Sequence, residues 1–177
     1  MNKAIFLDRD GVINECFINN GKPIAPLSLK ELKILPGVEE SVLKIKKLNF
    51  LCLVATNQPD VSRGKIKKET VIEMNNFLKK KIKFDDVFVC FHNDEHMCNC
   101  RKPEPGLLLD ASKKWNINLK QSYMIGDRWK DIQAGKKVGC KTIFIDYNYN
   151  EKKPYNPDFT VKSLVNAVNI IEENNKK

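Results

Sequence analysis

The sequence predicts an α/β fold, a doubly wound parallel sheet with helices on both faces. Two observations lead to this prediction. Short apolar runs alternate along the chain with stretches whose apolar residues recur at helical spacing, an order typical of β-α-β units. Polar residues follow most of the apolar runs, as expected where parallel strands end at the ligand-binding edge of a sheet. We expect one domain over residues 1–177, because no linker rich in Gly, Pro or Ser divides the chain.

The predicted elements follow one another in regular alternation. Apolar runs predict strands at residues 4–7, 50–55, 87–90, 123–125 and 142–145. Helical spacing predicts helices that begin near residue 37, at 68–81, at 105–115, at 130–138 and, last, at 161–173. The polar residues expected at the strand ends are Asp8, Thr56, Cys90, Asp127 and Asp146.

Composition and charge limit the class of partner. No apolar run approaches the roughly 20 residues that span a bilayer, and the first apolar run is too short for a secretion signal. We therefore expect a cytoplasmic protein without membrane association. The formal net charge is +9, but the lysines are scattered and are not interleaved with aromatic residues. No nucleic-acid partner is therefore expected.

A pair of carboxylates follows the first predicted strand, in the run Asp8-Arg9-Asp10-Gly11. One intervening residue and a glycine allow a turn that directs both carboxylates into one space. Hydrolysis of a phosphate monoester needs such a pair, because one carboxylate attacks phosphorus while the other protonates the leaving oxygen and then activates water. The paired negative charge must be offset, and Mg²⁺ does this with oxygen ligands.

Three later segments supply the other groups that this chemistry requires. Thr56 offers a hydroxyl and a backbone N–H at the end of the second predicted strand. Arg101-Lys102-Pro103 provides a cation that can neutralise charge on the transferred phosphoryl group. Asp127 and Asp131 form a late carboxylate pair. Asp127 is expected to bind the metal, whereas Asp131 either helps to hold the metal's waters or orients Lys102.

The ordered set D-R-D-G, T-N-Q, R-K-P and G-D-x-x-x-D resembles the four motifs of the haloacid-dehalogenase (HAD) superfamily, over about residues 4 to 146. This resemblance implies a Rossmann-like fold, catalytic Mg²⁺ and an aspartyl-phosphate mechanism. It implies that Asp8 is the nucleophile, that Asp10 is the general acid and base, and that Thr56 and Lys102 bind phosphate. The implied metal ligands are Asp8, Asp127 and the backbone carbonyl of Asp10. No segment between the motifs is long enough for a separate cap domain.

A second metal site is predicted between the third strand and Lys102. Cys90-x-His92 and Cys98-x-Cys100 supply three thiolates and one imidazole, which make a complete tetrahedral shell for Zn²⁺. Because no ligand position is left for catalysis, we expect a structural zinc that staples the loop at 90–100. In a chain without export signals, such a cluster favours a metal site over disulfide bonds. His96 is the second-choice ligand within this loop.

The cysteine loop beside R-K-P narrows the resemblance to HAD subfamily IIIA. This subgroup contains D-glycero-D-manno-heptose 1,7-bisphosphate phosphatases and histidinol-phosphate phosphatases. Arg63-Gly64 and residues 101–106 favour the heptose enzymes and imply hydrolysis of the C7 phosphate. The short gap between His92 and Cys98 favours the histidinol-phosphate branch, and Pro59-Asp60 departs from the Ser-Gly expected of heptose enzymes.

Candidate substrate contacts lie near these motifs. A small phosphorylated sugar with a second phosphate needs a further cationic anchor, for which Arg63 and Arg101 are available. Arg63 could equally be a solvated loop residue. The side-chain amides of Asn57 and Asn14 can hydrogen-bond sugar hydroxyls. If the substrate is instead histidinol phosphate, its amine needs a nearby carboxylate, such as that of Glu15 or Asp60.

Two further interpretations belong to other classes. The basic charge suggests a nucleic-acid 3′-phosphatase, and the cysteine loop suggests a zinc-stapled scaffold whose phosphatase motifs are relics. The presence of both Asp8 and Asp10 opposes the scaffold interpretation. Arg128 and Lys130, just after Asp127, are expected to face solvent. The sequence leaves the oligomeric state open and is compatible with a monomer.

Overall fold

One sheet of six parallel strands organises the computed structural model, which describes residues 1–176. A separate antiparallel hairpin lies between the first strand and the first helix. In chain order the strands are β1 (Ala4–Leu7), β2 (Phe17–Asn19), β3 (Lys22–Ile24), β4 (Leu51–Asn57), β5 (Asp86–Cys90), β6 (Tyr123–Gly126), β7 (Lys141–Ile145) and β8 (Phe159–Val161). The sheet order is β5-β4-β1-β6-β7-β8, and β2 pairs with β3.

Five helices cover both faces of this sheet. They are α1 (Val38–Lys47), α2 (Lys68–Ile82), α3 (Gly106–Trp115), α4 (Trp129–Lys137) and α5 (Leu164–Asn175). Side chains of a strand alternate between the two faces. Ile5 and Leu7 of β1 therefore pack with α1, α2 and α5, whereas Ala4 and Phe6 pack with α3 on the opposite face. The predicted doubly wound α/β fold is confirmed, and residues 1–176 contain no cap domain between the motifs.

Three parts of the fold differ from the prediction. The β2–β3 hairpin and β8 were not predicted, because a strand of three residues is too short to show an apolar alternation. The last helix was predicted at 161–173 but begins at Leu164, because Val161 belongs to β8 and Ser163 caps the helix. The Ser163 side chain accepts a hydrogen bond from the backbone N–H of Asn166.

The topology determines where a ligand can bind. β1 lies between β4 and β6. The chain runs outward from β1 through β4 to β5 and then crosses to β6, so the strand order reverses its direction beside β1. In open α/β sheets the ligand cleft forms at such a point, beyond the carboxyl ends of the strands. Asp8 follows β1 there, Thr56 and Asn57 end β4, and Asp127 follows β6. Across residues 1–176, no helix combines the length and the apolar character needed to cross a membrane.

Helix α4 approaches the sheet closely at Gly135. A Cβ atom at this position would lie 2.7 Å from Met124 Cβ and 3.0 Å from Thr142 Cγ2. Carbon atoms pack best at about 3.5–4.0 Å, and neither neighbouring atom is the free end of a flexible side chain. The glycine therefore sets how closely α4 packs beside the cleft.

We predict that Gly135→Ala lowers the free energy of unfolding by about 1–3 kcal/mol through overpacking. Helix propensity alone would instead favour alanine by about 1 kcal/mol, so the two effects have opposite signs. Denaturant unfolding measures the difference. Gln133→Ala, at an exposed position of the same helix, should change stability by no more than about 0.5 kcal/mol. A Gly135→Ala protein more stable than the wild type would contradict the close approach.

Candidate active site

A cleft of about 180 Å³ opens at the carboxyl ends of the central strands. Both aspartates of the D-R-D-G turn, Asp8 and Asp10, line this cleft. Lys102, Asp127 and Asp131 line it as well. The structure thus brings together the carboxylates and the lysine that the sequence predicted for phosphate chemistry, although they come from distant parts of the chain.

Lys102 is the buried cation at the centre of the cleft. Its side chain is only 1% exposed, and Nζ lies 3.0 Å from Asp8 Oδ1 and 2.5 Å from Asp131 Oδ1. Nζ also donates to the Ala55 carbonyl oxygen at 2.7 Å. Burial opposes the charged ammonium, but the two carboxylates outweigh burial and raise the pKa of Lys102. Lys102 is therefore a fixed positive charge beside Asp8.

Asn57 fixes the backbone that presents this lysine. Its Nδ2 donates to the Lys102 carbonyl at 3.0 Å, and its Oδ1 accepts from the Lys102 N–H at 3.0 Å. Both polar atoms of the side chain are thus engaged with Lys102. Asn57 also lines the cleft, so its contact with a sugar hydroxyl stays a prediction beside this support of Lys102.

The hydrogen bond and the ion pair of Asp8 both involve one carboxylate oxygen, Oδ1. Its Oδ1 accepts from the backbone N–H of Arg9 at 2.8 Å, in addition to the ion pair with Lys102. Burial and the negative charge of Asp131 raise the pKa of Asp8 to about 7, although Lys102 acts in the opposite direction. A cation near Asp8 would favour its ionised, nucleophilic form.

The carboxylate of Asp127 is buried, and neither of its oxygens has a hydrogen-bond partner among residues 1–176. Asp8, Asp127 and Asp131 each offer an oxygen within 4.8 Å of the others. Burial, together with the charges of Asp8 and Asp131, raises the pKa of Asp127 well above its usual range. Such a set of carboxylate oxygens is suited to a hard divalent cation such as Mg²⁺.

Gly11 permits the close approach of this carboxylate to the D-R-D-G turn. Its φ is +84°, which favours glycine, and a Cβ atom there would overlap Asp127 Oδ2. The glycine that the sequence placed after Asp10 therefore makes room for Asp127.

Asp131 bridges the lysine and the start of α4. One oxygen pairs with Lys102, and Oδ2 accepts from the backbone N–H of Arg128 at 3.0 Å. This geometry supports the predicted role of Asp131 in orienting Lys102, and its role in holding the metal's waters stays a prediction.

Three side chains hold the carboxylate of Asp10, and sequence reasoning assigned none of them to it. Arg9 donates to both oxygens at 3.0–3.1 Å. Asn14 Nδ2 donates to Oδ1 at 2.9 Å, and Gln58 Nε2 donates to Oδ2 at 2.7 Å. The contact between Arg9 and Asp10 could have been predicted from the motif, because Arg9 has a carboxylate on either side of it in the sequence.

Two predicted ligand-binding residues are completely buried. Asn14 is 0% exposed and donates to Asp10 and to the Glu15 carbonyl. The Asn14 side-chain amide thus supports the D-R-D-G turn, and its contact with the substrate stays a prediction. Thr56 is also 0% exposed, and its Oγ1 accepts from Gln58 Nε2 at 3.0 Å. Its part in phosphate binding stays a prediction.

The four predicted zinc ligands come together beside the cleft. The sulfur atoms of Cys90, Cys98 and Cys100 lie 3.0–3.7 Å apart, and His92 Nδ1 lies 3.5 Å from Cys100 Sγ and 3.8 Å from Cys90 Sγ. A zinc tetrahedron with bonds of about 2.3 Å has ligand–ligand edges of about 3.8 Å. The donor set and its spacing therefore fit Zn²⁺.

One thiol of this cluster is poised to bind metal. Burial opposes the ionisation of Cys98, but hydrogen bonds from the Arg101 backbone and from neighbouring side chains lower the pKa of Cys98 to about 6. His96 stacks on His92 with ring centroids 4.9 Å apart, and it is not one of the four clustered ligands.

Cations surround the mouth of the cleft, and one acidic residue connects several of them. Arg101 forms a bidentate pair with Asp94, at 2.9 and 3.1 Å. Lys130 approaches the same carboxylate at 3.2 Å, and Arg63 approaches it at 3.8 Å. The hydrogen bond from Arg101, followed by the contact with Lys130, lowers the pKa of Asp94. Sequence reasoning did not identify Asp94, which no motif marks.

The expectation that Arg128 and Lys130 face solvent is wrong. Both line the cleft, and Arg128 is held there by Glu151, whose carboxylate accepts from Nε at 2.9 Å. Arg63 and Arg101, the two predicted anchors for a second phosphate, line the cleft as well. With Lys65, which also lines the cleft, the mouth thus presents five cationic side chains instead of the two predicted anchors.

Comparison with known proteins places this geometry in a family. A family model described as HAD-hydrolase-like matches residues 99–167. A D-glycero-β-D-manno-heptose-1,7-bisphosphate 7-phosphatase of Vibrio cholerae is 33% identical over 78% of either chain. The Helicobacter pylori protein of the same name is 34% identical, over 87% of this chain and 89% of its own.

A solved structure shares the fold. It is a D,D-heptose 1,7-bisphosphate phosphatase of B. bronchiseptica complexed with magnesium and phosphate, and it is 23% identical with a TM-score of 0.80. The match covers 97% of this chain and 99% of that one. The sequence identity to the curated relatives extends over more than three quarters of the chain. The chain therefore belongs to the HAD superfamily of phosphatases.

Proposed function

We propose that this chain is a magnesium-dependent phosphatase that removes the C7 phosphate of D-glycero-D-manno-heptose 1,7-bisphosphate. The observation that carries the proposal is the position of Asp8, at the floor of a cleft between the buried ammonium of Lys102 and the unpartnered carboxylate of Asp127. The names of the curated relatives support the heptose substrate and favour its β anomer.

In the first step, a carboxylate oxygen of Asp8 attacks phosphorus and the bond to the leaving oxygen breaks. Asp10 gives that oxygen a proton, so the sugar leaves as a neutral alcohol and an aspartyl phosphate remains. In the second step, Asp10 takes a proton from a water molecule, which attacks phosphorus. The bond to Asp8 then breaks, inorganic phosphate is released, and both aspartates return to their starting state.

The cation and the lysine balance the charge of these steps. Asp8 and Asp127, with the Asp10 backbone carbonyl, would hold Mg²⁺, and Asp131 lies beside them. When bound, the ion offsets negative charge on the phosphoryl group and on the carboxylates. Lys102 binds the phosphoryl oxygens from a fixed position, and we assign Thr56 to the same task through its hydroxyl and its backbone N–H.

The cationic mouth favours a bisphosphate over the alternative substrate. Arg63, Arg101, Arg128 and Lys130 can attract and bind a second phosphate. The amine of histidinol phosphate would instead meet these positive charges. Of the two carboxylates suggested for an amine, Glu15 is exposed and does not line the cleft, and Asp60 already pairs with Arg63 at 3.3 Å. The electrostatics therefore support the heptose bisphosphate.

The proposal includes the rest of the chain. Zn²⁺ on Cys90, His92, Cys98 and Cys100 would fix the loop that precedes Lys102. Residues 1–177 would act as one domain and as a monomer, because the described residues already supply every group of the mechanism. We also propose a cytoplasmic location. In support, all six cysteines are free thiols, as is usual in reducing compartments.

We predict that phosphate release with Mg²⁺ is fastest from one anomer of heptose 1,7-bisphosphate. Its kcat/KM should exceed those for fructose 1,6-bisphosphate, histidinol phosphate and a 3′-phosphorylated oligonucleotide by at least about a hundredfold, or about 2.7 kcal/mol. A faster rate with histidinol phosphate would refute the substrate but keep the chemistry. A preference for the oligonucleotide would instead support the nucleic-acid phosphatase.

We predict about one zinc ion per chain in protein purified without chelators, measured by elemental mass spectrometry. Cys98→Ala should lower the zinc content, the midpoint of thermal unfolding and turnover together, because the cluster supports the backbone that leads to Lys102. Cys140→Ala is the matched control, since this thiol is buried outside the cluster, and its zinc content should stay near one. A stable, fully active wild type without zinc would contradict this assignment.

A further inference from the structure

Arg9, the middle residue of the D-R-D-G turn, is 0% exposed although it carries a charge. A buried guanidinium is costly unless carboxylates and other acceptors pair with it. Arg9 meets this requirement with two partners on opposite sides. Nε and Nη2 donate to the carboxylate of Asp10 at 3.0–3.1 Å, and Nη1 donates to Asn75 Oδ1 at 3.1 Å.

Asn75 connects this turn to a helix that does not line the cleft. It lies in α2, is 3% exposed and is not a cleft-lining residue. Its neighbours Met74 and Leu78 belong to the hydrophobic core between α2 and the sheet. The position of the Asn75 amide is therefore set by the packing of the core, and the amide in turn holds one end of the Arg9 guanidinium.

The contacts from Asn75 through Arg9 to Asp10 fix the plane of the Asp10 carboxylate. A guanidinium presents its N–H groups in a rigid fork, so two contacts to one carboxylate set its orientation as well as its distance. Gln58 and Asn14 add one donor on each oxygen of Asp10. The carboxylate is thus held in one orientation, while Asp10 still lines the cleft.

We infer that Arg9 is a positioning residue, which with Asn75 behind it holds Asp10 at the angle from which Asp10 exchanges protons during turnover. The inference rests on the proposed function, in which Asp10 is the acid and the base. Stability alone does not account for the arrangement, because a buried ion pair contributes about as much as well-packed apolar side chains of similar volume. Arg9 itself does not line the cleft, and its guanidinium is engaged with Asp10 and Asn75.

The test compares two aryl phosphates of nearly the same shape. Phenolate is a poor leaving group that needs the proton of Asp10, whereas p-nitrophenolate leaves without it. Single-turnover rates of Arg9→Met should therefore fall at least about tenfold more with phenyl phosphate than with p-nitrophenyl phosphate. General acid catalysis contributes about 100- to 10,000-fold to a rate, so a tenfold difference corresponds to partial loss of it. With p-nitrophenyl phosphate, a burst of nitrophenol should precede slow turnover, because activation of water also needs Asp10.

Three variants separate positioning from folding. Asn75→Leu keeps Arg9 but removes its rear contact, and it should show the same selective loss to a smaller degree. Arg9→Lys keeps the charge without the fork, so it should recover only part of the rate with phenyl phosphate. Met74→Ala, one residue from Asn75 in the buried core, should lower stability and leave the ratio of the two rates unchanged.

Equal losses with both esters, or no loss, would overturn the inference. If Arg9→Met does not fold, the same comparison is made with Asn75→Leu, and an unchanged ratio there would overturn it equally. Neither ester contains a sugar, so an error in the proposed heptose substrate leaves the comparison intact. A wild type that hydrolyses neither ester nor any sugar phosphate would instead refute the proposed phosphatase chemistry.

Discussion

The buried ammonium of Lys102 is the interaction on which the rest of the site depends. A lysine that is 1% exposed must have its charge balanced within the protein, and here the carboxylates of Asp8 and Asp131 balance it. This requirement fixes Asp8 at the end of β1 and Asp131 at the start of α4. Asn57 holds the lysine backbone from the end of β4. The lysine thus links β1, β4 and α4 at the carboxyl ends of the central strands.

Negative charge nevertheless exceeds positive charge at the floor of the cleft. Lys102 is shared between Asp8 and Asp131, while the carboxylate of Asp127 has no partner among the described residues. The same floor is suited to a divalent cation, and with the cation bound it can accept a phosphate dianion. The zinc loop lies on one side of it, because Cys100 leads directly into Arg101 and Lys102. The two candidate metal sites thus lie next to one candidate phosphate-binding surface.

The sequence was sufficient for features that depend on the order of residues along the chain. Asp8 and Lys102 could be placed at the cleft because each belongs to a recognisable sequence motif. Side-chain partners could not be predicted in the same way. Arg9 bonds Asn75, 66 residues away, and Asn14 turns inward to Asp10, because both contacts depend on how α2 and the turn pack. The contacts of the mouth cations with Asp94 could not be predicted for the same reason. They join separate segments of the chain, and local sequence patterns carry no information on such contacts.

The central claim is that Asp8 carries the phosphoryl group, and trapping of the intermediate tests it most directly. After mixing with Mg²⁺ and substrate and quenching in acid, borohydride reduction converts an aspartyl phosphate into homoserine, and trypsin then releases residues 4–9, in which Asp8 is the only acidic residue. The account predicts homoserine at position 8 in mass spectra of that peptide, and none in Asp8→Asn, which should also lose turnover. Homoserine at Asp10 instead, or an Asp8→Asn protein that still turns over near the wild-type rate, would contradict it.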